Sequence, residues 1–217
     1  MRARIRATLT DYKYVIALIS VFNFLLTPIH IALSGFNPGY VIVVNFTLVI
    51  LGSSLIASTK LTKAITYILG LLTLLAIWME FGHEGFLQLV LFRLVISLAL
   101  FVNFCVLLLG QLRKIKEVTL QFILMPILGF LFLGIIGGIL FEAIDIADPN
   151  SFRRVADFTA YSFYYFSFIS ITTVGYGDIT PLTAPAQSLT LVLNIIGQFY
   201  LAIVIAVFVG KYINVKS

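Results

Sequence analysis

The chain has 217 residues, of which 61% are hydrophobic and only 11% charged, against about 25% charged in globular proteins. Its 20 phenylalanines and mean hydropathy of +1.10 leave too little polar surface to cover a water-soluble body of this size, which excludes secreted, disordered and nucleic-acid-binding classes. The composition asks for a bilayer, and the net charge of +5 has to be read by position.

A helix needs about 20 mostly apolar residues to cross the hydrocarbon. Residues 14–59 carry no charge and, at about 1.5 Å per residue, are twice that length. Ser34-Gly35-Phe36-Asn37-Pro38-Gly39 breaks the stretch near its middle, so it predicts a hairpin of two spans. The run after the first arginines also resembles a signal peptide, with Ala32-Leu33-Ser34 as a cleavage site, but it exceeds an apolar region of about 7 to 15 residues and is long enough to span. Further spans are predicted at 64–80, 86–109, 119–141 and 184–210, making six crossings. The single cysteine, Cys105, lies in the fourth, excludes an intrachain disulfide and reads as core packing.

Lysine and arginine are retained on the cytoplasmic side. With the N-terminus inside, that side holds Arg2, Arg4, Arg6, Lys13, Lys60, Lys63, Arg113, Lys114, Lys116, Lys211 and Lys216, against Arg153 and Arg154 outside. Both termini are then expected in the cytoplasm of a multi-pass cell-membrane protein. Glu80, Glu84, Glu142, Asp145, Asp148, Asp157 and Asp178 fall outside, with Asp11 and Glu117 within. An outer mouth of this sign is mostly solvated surface, and it also raises local cation concentration.

Residues 142–183 do not fit a simple outer loop, because 158–177 is uncharged and aromatic. The segment 161–172 predicts a helix of about 18 Å, which enters a core of about 30 Å only partway. The chain then returns through Thr173-Val174-Gly175-Tyr176-Gly177-Asp178. Non-helical backbone at membrane depth survives only where protein or a water-filled cavity satisfies it. A dehydrated cation can be the partner of such carbonyls if the backbone alternates in hand, and Gly175 and Gly177 can take positive φ without a Cβ penalty. Val174 and Tyr176 would then point away from the axis into packing, and the Thr173 hydroxyl would add one oxygen at the inner end.

The run Thr172-Thr173-Val174-Gly175-Tyr176-Gly177-Asp178 resembles the selectivity-filter signature of potassium channels, and the likeness extends over about 100 residues, from the fifth span to the end of the sixth. The resemblance implies that carbonyls of Thr173, Val174, Gly175 and Tyr176 replace the hydration shell of K+, the permeant ion, with Gly177 and Asp178 closing the outer end and Thr172 flanking the inner one. It implies that Tyr165 packs behind Tyr176 and that Asp178 is hydrogen-bonded near the rim, with Phe166 as packing. Ile169 stands where some members carry a buried carboxylate, so filter behaviour that depends on that group is expected to be absent. One chain supplies one filter strand and a ring needs four, so a homotetramer is expected. The fold class is therefore an all-α membrane protein with six transmembrane helices and a re-entrant pore helix and filter between the fifth and sixth.

On the sixth span Asn194, Gln198, Leu201 and Ile205 share one helical face that grows apolar inward, a stripe expected to line a cavity and to gate by dewetting. Gly197 resembles the family's hinge glycine; close helix packing is its alternative reading. The first four spans resemble a peripheral sensor region in number but not in charge: after Arg93 the third-position register carries Ile96, Ala99 and Val102. One charge per chain gains only about 2.3 kcal/mol per 100 mV, so steep voltage dependence is not expected, and Arg93 reads as a static group. Residues 111–118 place Leu112, Ile115 and Val118 among Arg113, Lys114 and Lys116, which predicts a short interfacial helix whose cations meet anionic lipid. The expected divisions are a sensor-like region at 1–110, this linker at 111–118 and a pore domain at 119–217. The short stretch after Gly210 leads us to expect no cytoplasmic gating domain.

An enzyme reading finds no support, since His30, His83 and Cys105 are isolated and the acids lack metal-ligand spacing. No cofactor, nucleic acid or small-molecule substrate is expected. A non-conducting modulatory subunit and a poorly selective cation channel are the alternatives.

Overall fold

A computed structural model of the chain describes residues 12–82, 86–113, 119–154 and 158–214. The chain forms two compact units that divide within one helix, after Leu128.

The first unit begins with α1 (Lys13–Leu25) and α2 (Thr27–Ser34), two halves of one apolar run that meet at 58°. The cause is Pro28, which has no N–H and whose ring would clash with the carbonyl of Phe24, four residues back. The Thr27 hydroxyl takes up that carbonyl instead, donating to it at 2.5 Å. Gly35, at φ 66, ends α2 in the left-handed conformation. Asn37 then opens α3 (Pro38–Ser54), its Oδ1 accepting from the Gly39 amide at 2.8 Å, with Pro38 in the first turn where a missing N–H costs nothing. Thr59 and Thr62 cap α4 (Lys60–Gly82), each hydroxyl accepting from the other's amide. α5 (Leu87–Leu112) completes the unit. α4, α5, α6 (Leu120–Ala147) and the last helix are long and apolar enough to cross a membrane. The bent pair α1–α2 makes a fifth such span if taken together, and α3, with 17 residues, is shorter.

Lipid is as apolar as a protein core, so burying side chains between membrane helices gains close packing rather than escape from water, and polar contacts choose which faces meet. Phe24, Phe46, Phe101 and Phe104 form the ring-packed centre of this unit, with successive centroids 5.4, 5.6 and 5.6 Å apart. Around it Asn23 Nδ2 donates to Asn45 Oδ1 at 3.0 Å, Asn103 Nδ2 to Thr66 Oγ1 at 2.9 Å and Trp78 Nε1 to Thr47 Oγ1 at 3.2 Å. Bonds of this kind contribute roughly 0.6 kcal/mol each, which fixes register more than it adds stability.

Two findings depart from the sequence reading. Glu80, expected as a solvated outer acid, is ion-paired with Arg93 at 2.5 Å, so the intramembrane arginine has an acidic partner on the neighbouring helix. The guanidinium on its long stem reaches the end of α4, where the carboxylate sits. Gln111 and Leu112 lie in the last turn of α5 rather than opening a separate helix. Gln111 Oε1 accepts from Lys13 Nζ at 2.9 Å and Tyr14 OH at 2.6 Å, while its Nε2 donates to the Ile56 carbonyl at 3.1 Å. One side chain thereby ties α1, the α3–α4 connection and α5. The rest of the expected interfacial helix, 114–118, lies outside the described residues.

The second unit holds the end of α6, the two-residue strands β1 (Phe152–Arg153) and β2 (Thr180–Pro181), α7 (Ala160–Ile171) and α8 (Ala184–Asn214). The strands pair antiparallel, Phe152 opposite Pro181 and Arg153 opposite Thr180, closing the loop that contains α7. Its core is aromatic: Phe141, Phe152, Phe163 and Phe166 are each under 5% exposed. α6 meets α7 through three small positions. A Cβ on Gly134 would run into the Phe168 ring, one on Gly137 into Ser167 Oγ, and one on Gly138 into Tyr164. These glycines form the groove that seats α7.

Candidate functional site

A helix stands where the segment 161–172 predicts one: α7 spans Ala160–Ile171, about 18 Å. Ser162 Oγ accepts from the Thr159 amide at 3.0 Å and so starts it. A helix end leaves its last four carbonyls without intrahelical donors. Here the following residues supply them. Thr172 N–H and its Oγ1 donate to Phe168 O at 3.1 and 2.6 Å, and Thr173 N–H donates to Ser170 O at 3.0 Å. Val174 and Gly175 N–H both donate to Ile169 O, at 2.9 and 3.0 Å. Ile171 O accepts from Gln198 Nε2 of α8 at 3.2 Å.

The stretch after α7 thus spends its amides holding the helix end, and among the described residues no donor reaches the carbonyls of Thr173, Val174, Gly175 or Tyr176. Residues 172–177 are all exposed in the single chain. Gly175 and Gly177 take φ 51 and 79. Thr173 does so as well, at φ 62, which the sequence did not signal, since a β-branched residue is strongly disfavoured there. Positive φ at every second residue, 173, 175 and 177, is the alternation in hand that turns consecutive carbonyls toward one side.

Val174 is 50% and Tyr176 74% exposed, so the packing expected for their side chains is not supplied within one chain. Tyr165, in α7, donates its hydroxyl to Asp178 Oδ2 at 2.8 Å and pins the outer end of the stretch to the helix behind it. Phe166 is core, stacked on Phe141 at 4.9 Å between centroids. Ile169 is buried, and the contribution it makes to the stretch is its backbone carbonyl. Hydrogen bonds to charged groups contribute about 1.5–3 kcal/mol, so Tyr165→Phe and Asp178→Asn should each loosen the outer end by that order. The double variant should be no worse than either single one, as read from thermal unfolding in detergent.

On α8, Gln198 lies beside the α7 end, and one turn before it the Asn194 Oδ1 is buried without a hydrogen-bond partner among the described residues. Leu201 and Ile205, further along, are 37% and 62% exposed. α8 runs unbroken through Gly197, whose Cα faces Ile171: an added Cβ would stand 3.2 Å from the Ile171 Cβ and 3.5 Å from its carbonyl oxygen. In this conformation the glycine packs closely against α7. The sequence missed Gln198 as the donor that satisfies the last α7 carbonyl; its spacing from the motif was visible, but not the direction in which α8 crosses.

Among the described residues no group of three or more His, Cys, Asp or Glu side chains could hold a metal ion, and the oxygens left without a donor along 173–176 are backbone carbonyls. Residues 125–214 match the model of a family described as ion channel, a stretch that runs from within α6 to the end of α8 and contains the whole site. Neither a curated protein nor a solved structure matches the chain. The chain carries an ion-channel domain in an integral membrane setting, and the matched family is one of channels, not of enzymes.

Proposed function

We propose that the protein is a K+-selective channel subunit that passes potassium passively, with four copies assembled around one axis in the cell membrane and six crossings per copy. The observation that carries this reading is the division of labour along 173–176: the amides of Thr173, Val174 and Gly175 turned back onto the end of α7, and carbonyls left without a donor among the described residues. Such a row of oxygens at membrane depth demands a partner, and a dehydrated cation coordinated by rings of carbonyls is one. Thr173, Val174, Gly175 and Tyr176 supply the K+ ligands, Gly177 and Asp178 close the outer end, and Thr172 and Tyr165 support the strand. A single strand gives one oxygen per ring, and the exposed Val174 and Tyr176 side chains would find their packing against neighbouring copies. No cofactor enters.

The α8 stripe of Asn194, Gln198, Leu201 and Ile205 lines the cavity below, its apolar inner part serving as the gate, with Gly197 held against α7. Both termini are cytoplasmic, and Arg113, Lys114 and Lys116 meet anionic lipid there. Voltage dependence is weak, because the only intramembrane basic residue, Arg93, is tied to Glu80. Even four moving copies would couple to 100 mV by only about 9 kcal/mol, against three to four charges per subunit in steep sensors.

The test is the reversal potential of the purified chain in liposomes with K+ on one side and Na+ on the other, scanned by a voltage ramp. A potential near the K+ equilibrium value is expected, with a conductance whose slope against voltage is unchanged in Arg93→Gln. Comparable permeation of Na+ would make it a poorly selective cation channel, and absence of flux from an assembled chain would make it a modulatory subunit.

A further inference from the structure

The bend in the first apolar run encloses polar side chains that the channel reading leaves unused. Thr27 is fully buried and Asn45 is 5% exposed; with Asn23 and His30 they form one hydrogen-bonded chain between α1, α2 and α3. The donors in it can be assigned by elimination. The Thr27 hydroxyl has one hydrogen, which goes to the Phe24 carbonyl at the Pro28 break, so Thr27 Oγ1 must accept from Asn45 Nδ2, 3.0 Å away. Asn45 therefore presents its amide nitrogen on this side and its oxygen to Asn23 Nδ2, at 3.0 Å. The second Asn45 amide hydrogen points to His30 Nδ1, also at 3.0 Å. Nδ1 can accept it only if it carries no proton.

We infer that His30 is a proton-responsive joint of the first span: the bent form admits only the neutral ring with its proton on Nε2, and a proton arriving at Nδ1 reverses the whole chain of hydrogen bonds. Two donors, Nδ1–H and Asn45 N–H, cannot share one line. The available alternative turns the Asn45 amide over so that its oxygen accepts from His30. Asn23 must then turn over too, and the Thr27 hydroxyl, now facing an acceptor in Asn45, leaves the Phe24 carbonyl that it holds at the bend. The network has two complete arrangements of opposite polarity, and the proton selects between them.

The helices packed against α2 are α1 and α3. Their titratable residues are Lys13 and Tyr14, engaged with Gln111 at the far end of α1, and Tyr40, whose ring meets Trp78 edge-on and Phe81 at a tilt. Among the described residues, the side chain hydrogen-bonded to the imidazole is the uncharged Asn45, itself bonded to the uncharged Thr27 and Asn23. On the orientation proposed above, the proton comes from outside the cell.

The test uses the full chain with ¹⁵N-labelled histidine in lipid nanodiscs, with His83→Gln so that His30 is the only imidazole. Its nitrogen resonances report which atom is protonated, independently of any conductance, so failure here and failure of the channel reading are separate results. The neutral ring should carry its proton on Nε2; a neutral ring protonated on Nδ1 overturns the proposal. In Asn45→Asp the carboxylate can only accept, so the neutral ring should move its proton from Nε2 to Nδ1. A neutral ring that keeps its proton on Nε2 in this variant also overturns it. Thr27→Val releases Asn45 from its fixed orientation, and in it the neutral ring should populate both tautomers, whereas an unaltered single tautomer would remove Thr27 as the element that sets the polarity.

Discussion

Replacing Gly177 by Ala is expected to abolish K+-selective flux while leaving the assembled protein intact. Gly177 sits at φ 79, where a Cβ costs about 1–2 kcal/mol per chain, and in the proposed ring of four that cost is incurred four times, about 4–8 kcal/mol in all. The strand would relax toward negative φ, turning the neighbouring Tyr176 carbonyl off the common axis and breaking the alternation that begins at Thr173. No contact obstructs the new methyl, since nothing stands within 4 Å of it in the chain, so the effect is one of backbone conformation. Gly35→Ala is the matching control. Gly35 has φ 66 and equally open surroundings, but it ends α2 in the outer hairpin. It should lower stability by about 1–2 kcal/mol and leave the reversal potential where it was. Equal effects of the two substitutions on selectivity would show that Gly177 acts on folding and not on the ion path.

The second large effect is expected at Gly138, where the α6 groove receives α7. A methyl there would overlap the Tyr164 ring and stand 2.9 Å from the Tyr164 Cα. A side-chain end can swing away, but a backbone atom cannot move unless α7 moves, and α7 is fixed by the Phe141, Phe152, Phe163 and Phe166 core. Overpacking of this kind costs about 1–3 kcal/mol for Ala, and Leu at the same place should prevent the unit from closing. Thermal unfolding in detergent, with the yield of monodisperse protein, measures both. Gly110 in α5 has open space where its Cβ would go, so Gly110→Ala should be neutral or raise stability by up to about 1 kcal/mol through helix propensity alone. If Gly138→Ala behaved like Gly110→Ala, the groove would not be what seats α7.

Two other substitutions separate parts of the site that act together. The Tyr165–Asp178 bond ties the outer end of the strand to α7, while the Ile169 and Ser170 carbonyls, accepting from the amides of Val174, Gly175 and Thr173, tie its beginning. Loss of the first should change how long the strand holds its shape during conduction; it should not change which ion is preferred, because the ligating carbonyls are placed by the amides of 173–175.

The apolar runs, their lengths and the short aromatic helix before the filter-like motif were legible in the sequence, because apolar length and the absence of charge are properties of local composition. So was the need for Gly175 and Gly177 at positive φ, because no other residue adopts it freely. Thr173 was not legible: its left-handed backbone is imposed by the α7 end, to which its own amide and those of Val174 and Gly175 are bonded, and a β-branched residue gives no local sign of that. The Arg93–Glu80 pair, the Gln111 tie and the Gln198 bond to Ile171 were hidden for another reason. Each joins residues far apart in the chain, and which side chains meet depends on helix rotation and crossing, which composition leaves open. The chain's own order of residues therefore determined that this is a membrane protein with a short aromatic helix followed by one strand of alternating hand, since those features follow from hydrocarbon thickness and backbone sterics. Only the tertiary structure decided which amides hold that strand, which glycines seat α7 and where the buried charges find partners, because these depend on contacts between elements that local preference does not encode.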